Sequence, residues 1–343
     1  MKGRIPLAWI LAALVLLIGG SFRLSTLGWL PLAPKEASVA LTAAADTELA
    51  SPFWSPSQVP AEAAAPAYTN PTAALMSGLG ADPAIARLVP ALAGVIFMCL
   101  PLLLLRRLGW VRVLLSMLLL SISPTALTVS RSAGGEMLAA LGLTLAAILL
   151  VRSRSPSPLE GTVAGVSLGA GIASGPAFWT GLFGFCLAYL LFRAFSRDDP
   201  FARVSRSLLL RRVVPTALLT ALVLATWFGS RLGGLGDALA AAGSWIMGWT
   251  RAGGMPLLPG VFVFPIYEPL VLVMGTIAAV RGINPVGDEW RPPVFLGIGS
   301  LAAFVLYPSR SAADLIWVIM PAAVLAVGTI ESTIERTVSR EMP

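Results

Sequence analysis

A chain of 343 residues that is 57% hydrophobic and 12% charged, with a mean hydropathy of +0.83, would leave large apolar areas against water if it folded as a soluble domain. Soluble domains carry roughly 25% charged residues, so the composition is that of an integral membrane protein and excludes disordered, collagenous and disulfide-scaffold classes. The formal charge of +7 raises the alternative of a polyanion ligand, but on a membrane protein excess Lys and Arg mark cytoplasmic loops, and nucleic acid is not an expected partner.

The first apolar run, Ile5 to Phe22, follows Lys2 and Arg4. A basic start and an apolar stretch fit a signal peptide, but no small-x-small cleavage site follows, so it reads as an uncleaved first span. A long segment, Arg23 to Ala86, comes next; it is rich in Pro, Ala, Ser and Thr and has five acidic against two basic residues. A loop of that length is usually functional, and Glu36 to Ala50 has a helical composition suited to lying along the interface.

Nine further apolar runs follow: Arg87 to Leu105, Val111 to Val129, Met137 to Val151, Gly161 to Ala173, Pro176 to Phe192, Val213 to Gly229, Pro256 to Val280, Val294 to Tyr307 and Ala313 to Ile330. Ten crossings with Lys2 inside put 17 of the 24 basic residues on the cytoplasmic side, leaving Arg23, Lys35, Arg87, Arg131, Arg231, Arg251 and Arg310 outside. That asymmetry predicts a multi-pass cell-membrane protein, one membrane domain over 1–343, with both termini cytoplasmic. A second outer segment, Arg231 to Met255, carries Trp245 and Trp249 four residues apart, a spacing expected to anchor an interfacial helix, with sugar stacking as the alternative. No internal repeat is apparent.

With no histidine in the chain, any general base must be Asp, Glu, Lys or Tyr. Cys99 and Cys186 lie in apolar runs and read as small core side chains. No residue pattern indicates a metal site, and whether a divalent ion takes part is left open. Ionisable groups at the outer face are functional suspects because they are costly there: Lys35 and Glu36 after the first span, Arg131 and Glu136 around the start of the fourth, and Arg310 with Asp314 before the last. Arg131 and Glu136 have a plainer reading as caps of two helix ends, and Lys35-Glu36 as a solvated dipeptide. Glu268, between Pro265 and Pro269 in the eighth run, needs a partner or water, since the prolines free backbone groups at membrane depth.

The order of features is more informative than any one residue. A first span followed by PLAPKEA, then PAYTNPTAALMSGLG, then ARLVPALAGVIFMCLPLLLLRRLG, then SISPTALTVSRSAGGEMLAALGL, resembles the membrane module of GT-C glycosyltransferases. More narrowly it is similar to the family 39 protein mannosyltransferase and lipid A aminoarabinose transferase group. The resemblance covers about residues 5 to 195, with an echo at YPSRSAADLIWVIMPAAVLA, Tyr307 to Ala326. It implies an all-α polytopic fold that transfers a sugar from a polyprenyl-phosphate donor at the outer face. It also implies an Asp-Glu pair in the first outer loop as the acceptor's base. Here that pair reads Lys35-Glu36, and the family's acid at the start of the fourth span falls on Glu136.

Such chemistry needs a carboxylate for the hydroxyl proton and cations for the departing phosphate. Glu36 and Glu136 are the catalytic candidates; Lys35, Arg87, Arg131 and Arg310 are the phosphate-binding ones, Arg being suited by its planar fork. Lysine at the aspartate position leaves a second reading, a catalytically degenerate GT-C module serving a membrane complex as an assembly subunit. A third, a transporter, has only Glu268 between its prolines in support.

Overall fold

The computed structural model describes residues 7–48, 64–152, 156–195, 204–251, 253–283 and 291–341. Lys2, Arg4, Arg154, the 196–203 portion of the basic cluster and the 49–63 portion of the first outer segment lie outside them. Among the described residues the regular structure is helical throughout.

Helix α1 (Leu7–Leu24) is the first apolar run. The segment from 23 to 86 holds α2 (Pro34–Glu48) and α3 (Pro66–Leu79), each starting on a proline whose missing N–H costs nothing in a first turn. Helix α4 (Pro83–Cys99) is capped by Asp82, whose Oδ1 accepts the Ala84 N–H at 2.7 Å. It runs through a 3₁₀ turn (Leu100–Leu104) into α5 (Leu105–Ile122), and Gly109, at φ +76°, breaks the helical run there, a conformation glycine adopts without strain.

The run Val111 to Val129, expected to be continuous, is interrupted at Ser123-Pro124, where α6 (Pro124–Ser130) begins. Next come α7 (Glu136–Val151), α8 (Pro158–Ile172) and α9 (Pro176–Phe195), then α10 (Arg206–Leu208), which passes through a π turn (Leu209–Val213) into α11 (Val214–Ala225). The segment from 231 to 255 contains α12 (Gly233–Met247). The eighth run is likewise broken: α13 (Leu257–Tyr267) and α14 (Pro269–Ile283) meet at 95° with Glu268 in the joint. Helix α15 (Arg291–Leu306) and a 3₁₀ turn (Ala312–Leu315) lead into α16 (Ile316–Glu341).

Among the described residues, five helical stretches are long and apolar enough to cross a membrane, six if the bent pair is one span. Helices α7 and α15, at 16 residues, are apolar but shorter than the ~20 residues that a 30 Å hydrocarbon core asks for, and α8 has 15. Helix α7 packs on α8 and α9, α9 on α15, and α16 on α14, α15 and α5. The shared core holds Phe97, Met137, Phe178, Phe304, Trp317 and Ile319. Leu7, Leu14 and Leu17 of α1 and Leu218, Leu219 and Leu222 of α11 face outward and exposed, as lipid-facing surfaces do.

Two broken spans meet, and polar side chains complete each other's backbone. Pro124 has no N–H, which orphans the Leu120 carbonyl; Arg23, fully buried, supplies it through Nη2 at 2.7 Å and reaches the Ser121 carbonyl through Nη1 at 3.2 Å. On the amide side of the same break, Glu268 Oε1 accepts the Thr125 N–H at 3.0 Å and the Ser123 hydroxyl at 2.5 Å. This gives Glu268, 4% exposed, the partner its position demands.

Candidate functional site

The N-terminal ends of α2, α4 and α7 converge, and two ion pairs lie where they meet. The first joins Glu36 to Arg87. Glu36 Oε2 accepts from Arg87 Nη2 at 2.8 Å and from the Ala33 N–H at 2.9 Å; Oε1 accepts from Arg87 Nε at 3.2 Å and from the Ala133 N–H at 2.8 Å. The Ala33 contact is half of a capping box, with the glutamate in the first turn of α2 reaching back to the N–H just before it.

Arg87 spends its remaining donors on the carbonyls of Leu27 at 2.8 Å, Leu30 at 2.7 Å and Pro31 at 3.1 Å. Both side chains are largely buried. Every donor of the guanidinium and about four carboxylate lone pairs are therefore in use, and the pair ties the α1–α2 connection to α4 and to the loop before α7. Burial disfavours the charge on Glu36, but the bonds from Arg87, Ala33 and Ala133 outweigh it and hold the carboxyl below the ordinary carboxylate range.

The second pair is Lys35 with Glu136, Nζ to Oε1 at 2.9 Å. Lys35 lies in the first turn of α2 and Glu136 opens α7, so two helix N-termini, both favourable to negative charge, flank the ammonium. The two members differ in access: the Lys35 side chain is 62% exposed and that of Glu136 17%. The sequence SAGGEM forms this corner because it is small. A Cβ on Gly135 would collide with the Ser174 carbonyl, and one on Gly134 with the Glu136 carboxylate. Tyr68 of α3, fully buried, donates to the Ala86 carbonyl at 2.9 Å and braces the floor beneath.

The other two predicted cations are directed at carbonyls. Arg131 does not pair with Glu136 across the turn; it donates to Phe22, Ser25 and Thr26 and so caps the end of α1. Arg310 donates to Phe304 at 2.9 Å, Val305 at 3.0 Å and Met255 at 3.2 Å, capping α15. Trp245 and Trp249 gather with Phe183 and Tyr307, ring centroids 5.2–6.2 Å apart, and the Trp245 indole donates to Thr180 at 3.2 Å. That arrangement turns the tryptophans toward α9 and the end of α15. Among the described residues no three or more acidic or cysteine side chains gather in a way that could hold a metal ion.

Asp314, noted in the sequence beside Arg310 but given no role there, is 5% exposed, and its Oδ2 accepts the N–H of Ser311 at 2.7 Å and the Ser311 hydroxyl at 3.0 Å. Its only local signal is an acid three residues after Ser311 at the mouth of an apolar run.

No family model matches the chain, and no curated protein does. Solved structures do. ArnT from Cupriavidus metallidurans bound to undecaprenyl phosphate superposes with a TM-score of 0.69 at 16% identity, over 96% of this chain and 61% of that one. The chain has the GT-C fold. The archaeal oligosaccharyltransferase AglB from Archaeoglobus fulgidus, in complex with an inhibitory peptide and a dolichol-phosphate, gives 0.62 at 12% identity over 98% and 52%. ArnT in the apo state gives 0.63 at 14% over 97% and 60%. The chain thus spans between half and three fifths of the length of these GT-C structures.

Proposed function

We propose that the protein is a multi-pass membrane glycosyltransferase of the GT-C kind, moving a sugar from a polyprenyl-phosphate donor to an acceptor at the outer membrane face. The observation that carries this is the exposed Lys35 ammonium, held by Glu136 between two helix N-termini at 2.9 Å, in a fold shared with structures bound to undecaprenyl phosphate and a dolichol-phosphate. Lysine is a compact charge suited to a phosphate monoester or diester, and Glu136 fixes where that charge sits. The clamp of Glu36 and Arg87 fixes the start of α2 that carries Lys35, while Arg131 caps α1 and Arg310 caps α15.

In this reading the chain crosses the bilayer ten times: α1, α4, α5 with α6, α7, α8, α9, α11, α13 with α14, α15 and α16, both termini being cytoplasmic. The segment from 23 to 86 and the one from 231 to 255 are then outer, their helices interfacial.

The test is binding of undecaprenyl phosphate to the purified full chain in detergent, followed by tryptophan fluorescence. Lys35→Ala should raise the Kd about tenfold, the equivalent of ~1.4 kcal/mol, and the wild-type affinity should fall with added salt. Equal binding by both proteins, or none by either, rejects this site. A second reading, that of a degenerate module serving a larger membrane complex, is favoured by lysine standing where the family resemblance puts an aspartate. It predicts a bound lipid phosphate with no sugar ever moved.

A further inference from the structure

Completing the break at Ser123-Pro124 uses only one oxygen of Glu268. Its Oε1 takes both the Thr125 N–H and the Ser123 hydroxyl, while among the described residues no hydrogen bond or ion pair reaches Oε2. The residue is 4% exposed, yet Oε2 is not sealed among apolar atoms. Glu268 lines a cavity of about 140 Å³ together with Ile122, Ser123, Tyr267, Leu270 and Val271. Tyr267 is exposed, so the cavity is open to the exterior.

The two breaks leave further acceptors at the same cavity. Ile122 ends α5, and the N–H groups that would reach its carbonyl in a continued helix are spent elsewhere, that of Thr125 on Glu268 and that of Ala126 on the Ser123 hydroxyl at 3.2 Å. Tyr267 ends α13, where the last carbonyls have no intrahelical donor and Pro269 brings no N–H. The Ser123 oxygen, donating once and accepting once, keeps a lone pair. Two helix C-termini, each with a partial negative charge, therefore meet beside a carboxylate oxygen. Helix α14 starts at the same joint, and its opening N–H groups, of Leu270 and Val271, offset those partial charges but not the whole charge of Glu268. Arg23, on the carbonyl side of the break, is committed to Leu120 and Ser121 and forms no ion pair with Glu268.

We infer that this joint binds one monovalent alkali cation, with Glu268 Oε2 as the charged ligand and the oxygens of Ser123, Ile122 and Tyr267 beside it. Carboxylate, hydroxyl and carbonyl oxygens suit a hard ion, and the C-terminal ends of interrupted membrane helices are places where sodium is held. A single carboxylate balances a single positive charge; a divalent ion here keeps one charge uncompensated in a buried place. Since a water occupies about 30 Å³ in the liquid, the cavity has room for the ion and a few waters that complete its shell. The ion fastens α5 and α6 to α13 and α14. No part of this depends on the glycosyl-transfer reading, and no step of transfer passes through the ion.

The experiment uses the full chain purified in detergent free of alkali ions. Thermal unfolding is followed through tryptophan fluorescence in sodium, potassium and N-methylglucamine chlorides of equal ionic strength, and saturable binding of radioactive sodium is measured in parallel. Sodium should raise the wild-type melting temperature by about 2–4 °C over N-methylglucamine, as an ion present at several times its Kd does. Glu268→Gln keeps an oxygen for Thr125 and Ser123 and removes the charge, so it should fold, lose that shift and bind no radioactive sodium. Sodium binding undiminished in Glu268→Gln overturns the site, and so does a wild-type melting temperature that is the same in all three salts. Greater protection of the wild type by calcium or magnesium than by sodium overturns the identity of the ion. Should Glu268→Gln fail to fold, the wild type decides alone: saturable sodium binding together with the sodium shift upholds the site, and the lack of either overturns it.

Discussion

Replacing Arg87 by methionine should be among the most damaging single changes outside the apolar core. The guanidinium serves two oxygens of Glu36 and the carbonyls of Leu27, Leu30 and Pro31. Methionine keeps much of the stem's volume and none of the donors, so Glu36 is left with the Ala33 and Ala133 N–H groups alone and three carbonyls lose their partner. Removing one member of a buried, hydrogen-bonded ion pair costs about 3–5 kcal/mol. With the Arg87 side chain 8% exposed and that of Glu36 14%, little water reaches either to soften the loss.

The assay is reversible unfolding of the full chain in mixed micelles by sodium dodecyl sulfate, followed through its tryptophans. Glu36→Gln with Arg87→Met should be less destabilised than the sum of the single changes, since the orphaned charge is gone, with a coupling of roughly 2 kcal/mol. A loss below about 1 kcal/mol for Arg87→Met, or strict additivity, would refute the clamp.

The pair also sets a pH dependence. The folded-state pKa of Glu36 is depressed, so its contribution is complete above the unfolded carboxylate value and is lost as pH falls through the folded one. Stability should therefore decline below about pH 4, and Glu36→Gln should flatten that decline.

Two further outcomes follow from the joined breaks. Arg23→Met, which strips the Leu120 and Ser121 carbonyls of their donor, should cost about 1–3 kcal/mol per stranded group in the same unfolding assay; a Pro124→Ala background, which restores an N–H to the helix, should recover part of it. Glu268→Leu should destabilise by a similar ~1–3 kcal/mol while Glu268→Gln, which keeps an acceptor for Thr125 and Ser123, should stay within about 1 kcal/mol of wild type. Equal losses for the two substitutions would show that Glu268 does not act as a cap.

The fold class was legible because hydropathy and helix length carry it: the apolar runs, the prolines at helix starts and the breaks at Ser123-Pro124 and Glu268-Pro269 are all local signals. The break at Ser123-Pro124 was read as part of a continuous run because apolar content alone does not register a missing N–H, whereas the prolines around Glu268 were noted to free backbone groups. Partners were a different matter. Glu36 was visible as an acid in a motif, but that Arg87, 51 residues on, would saturate it follows from tertiary packing. The same holds for Lys35 and Glu136, 101 residues apart. Arg131 and Arg310 looked like anion ligands because an arginine near a helix end has the same appearance in sequence whether it faces a phosphate or the helix's own last carbonyls. Asp314 was visible beside Arg310 as an acid before the last apolar run, but its capping bonds to Ser311 were not read from the sequence.

The joint at Ser123 also constrains how the chain can be assembled. One of its two completing side chains, Arg23, is synthesised 97 residues ahead of Leu120, and the other, Glu268, comes 143 residues after Thr125. While α7 to α12 are being made, the carbonyl side of the break is already served and its amide side is not. An open amide in a buried joint is costly, so the first half of the bundle stays unfinished until the joint between α13 and α14 arrives. A nascent chain halted before Glu268 should therefore be retained by insertion chaperones or degraded, which makes this one carboxylate a late checkpoint on the folding of helices made long before it.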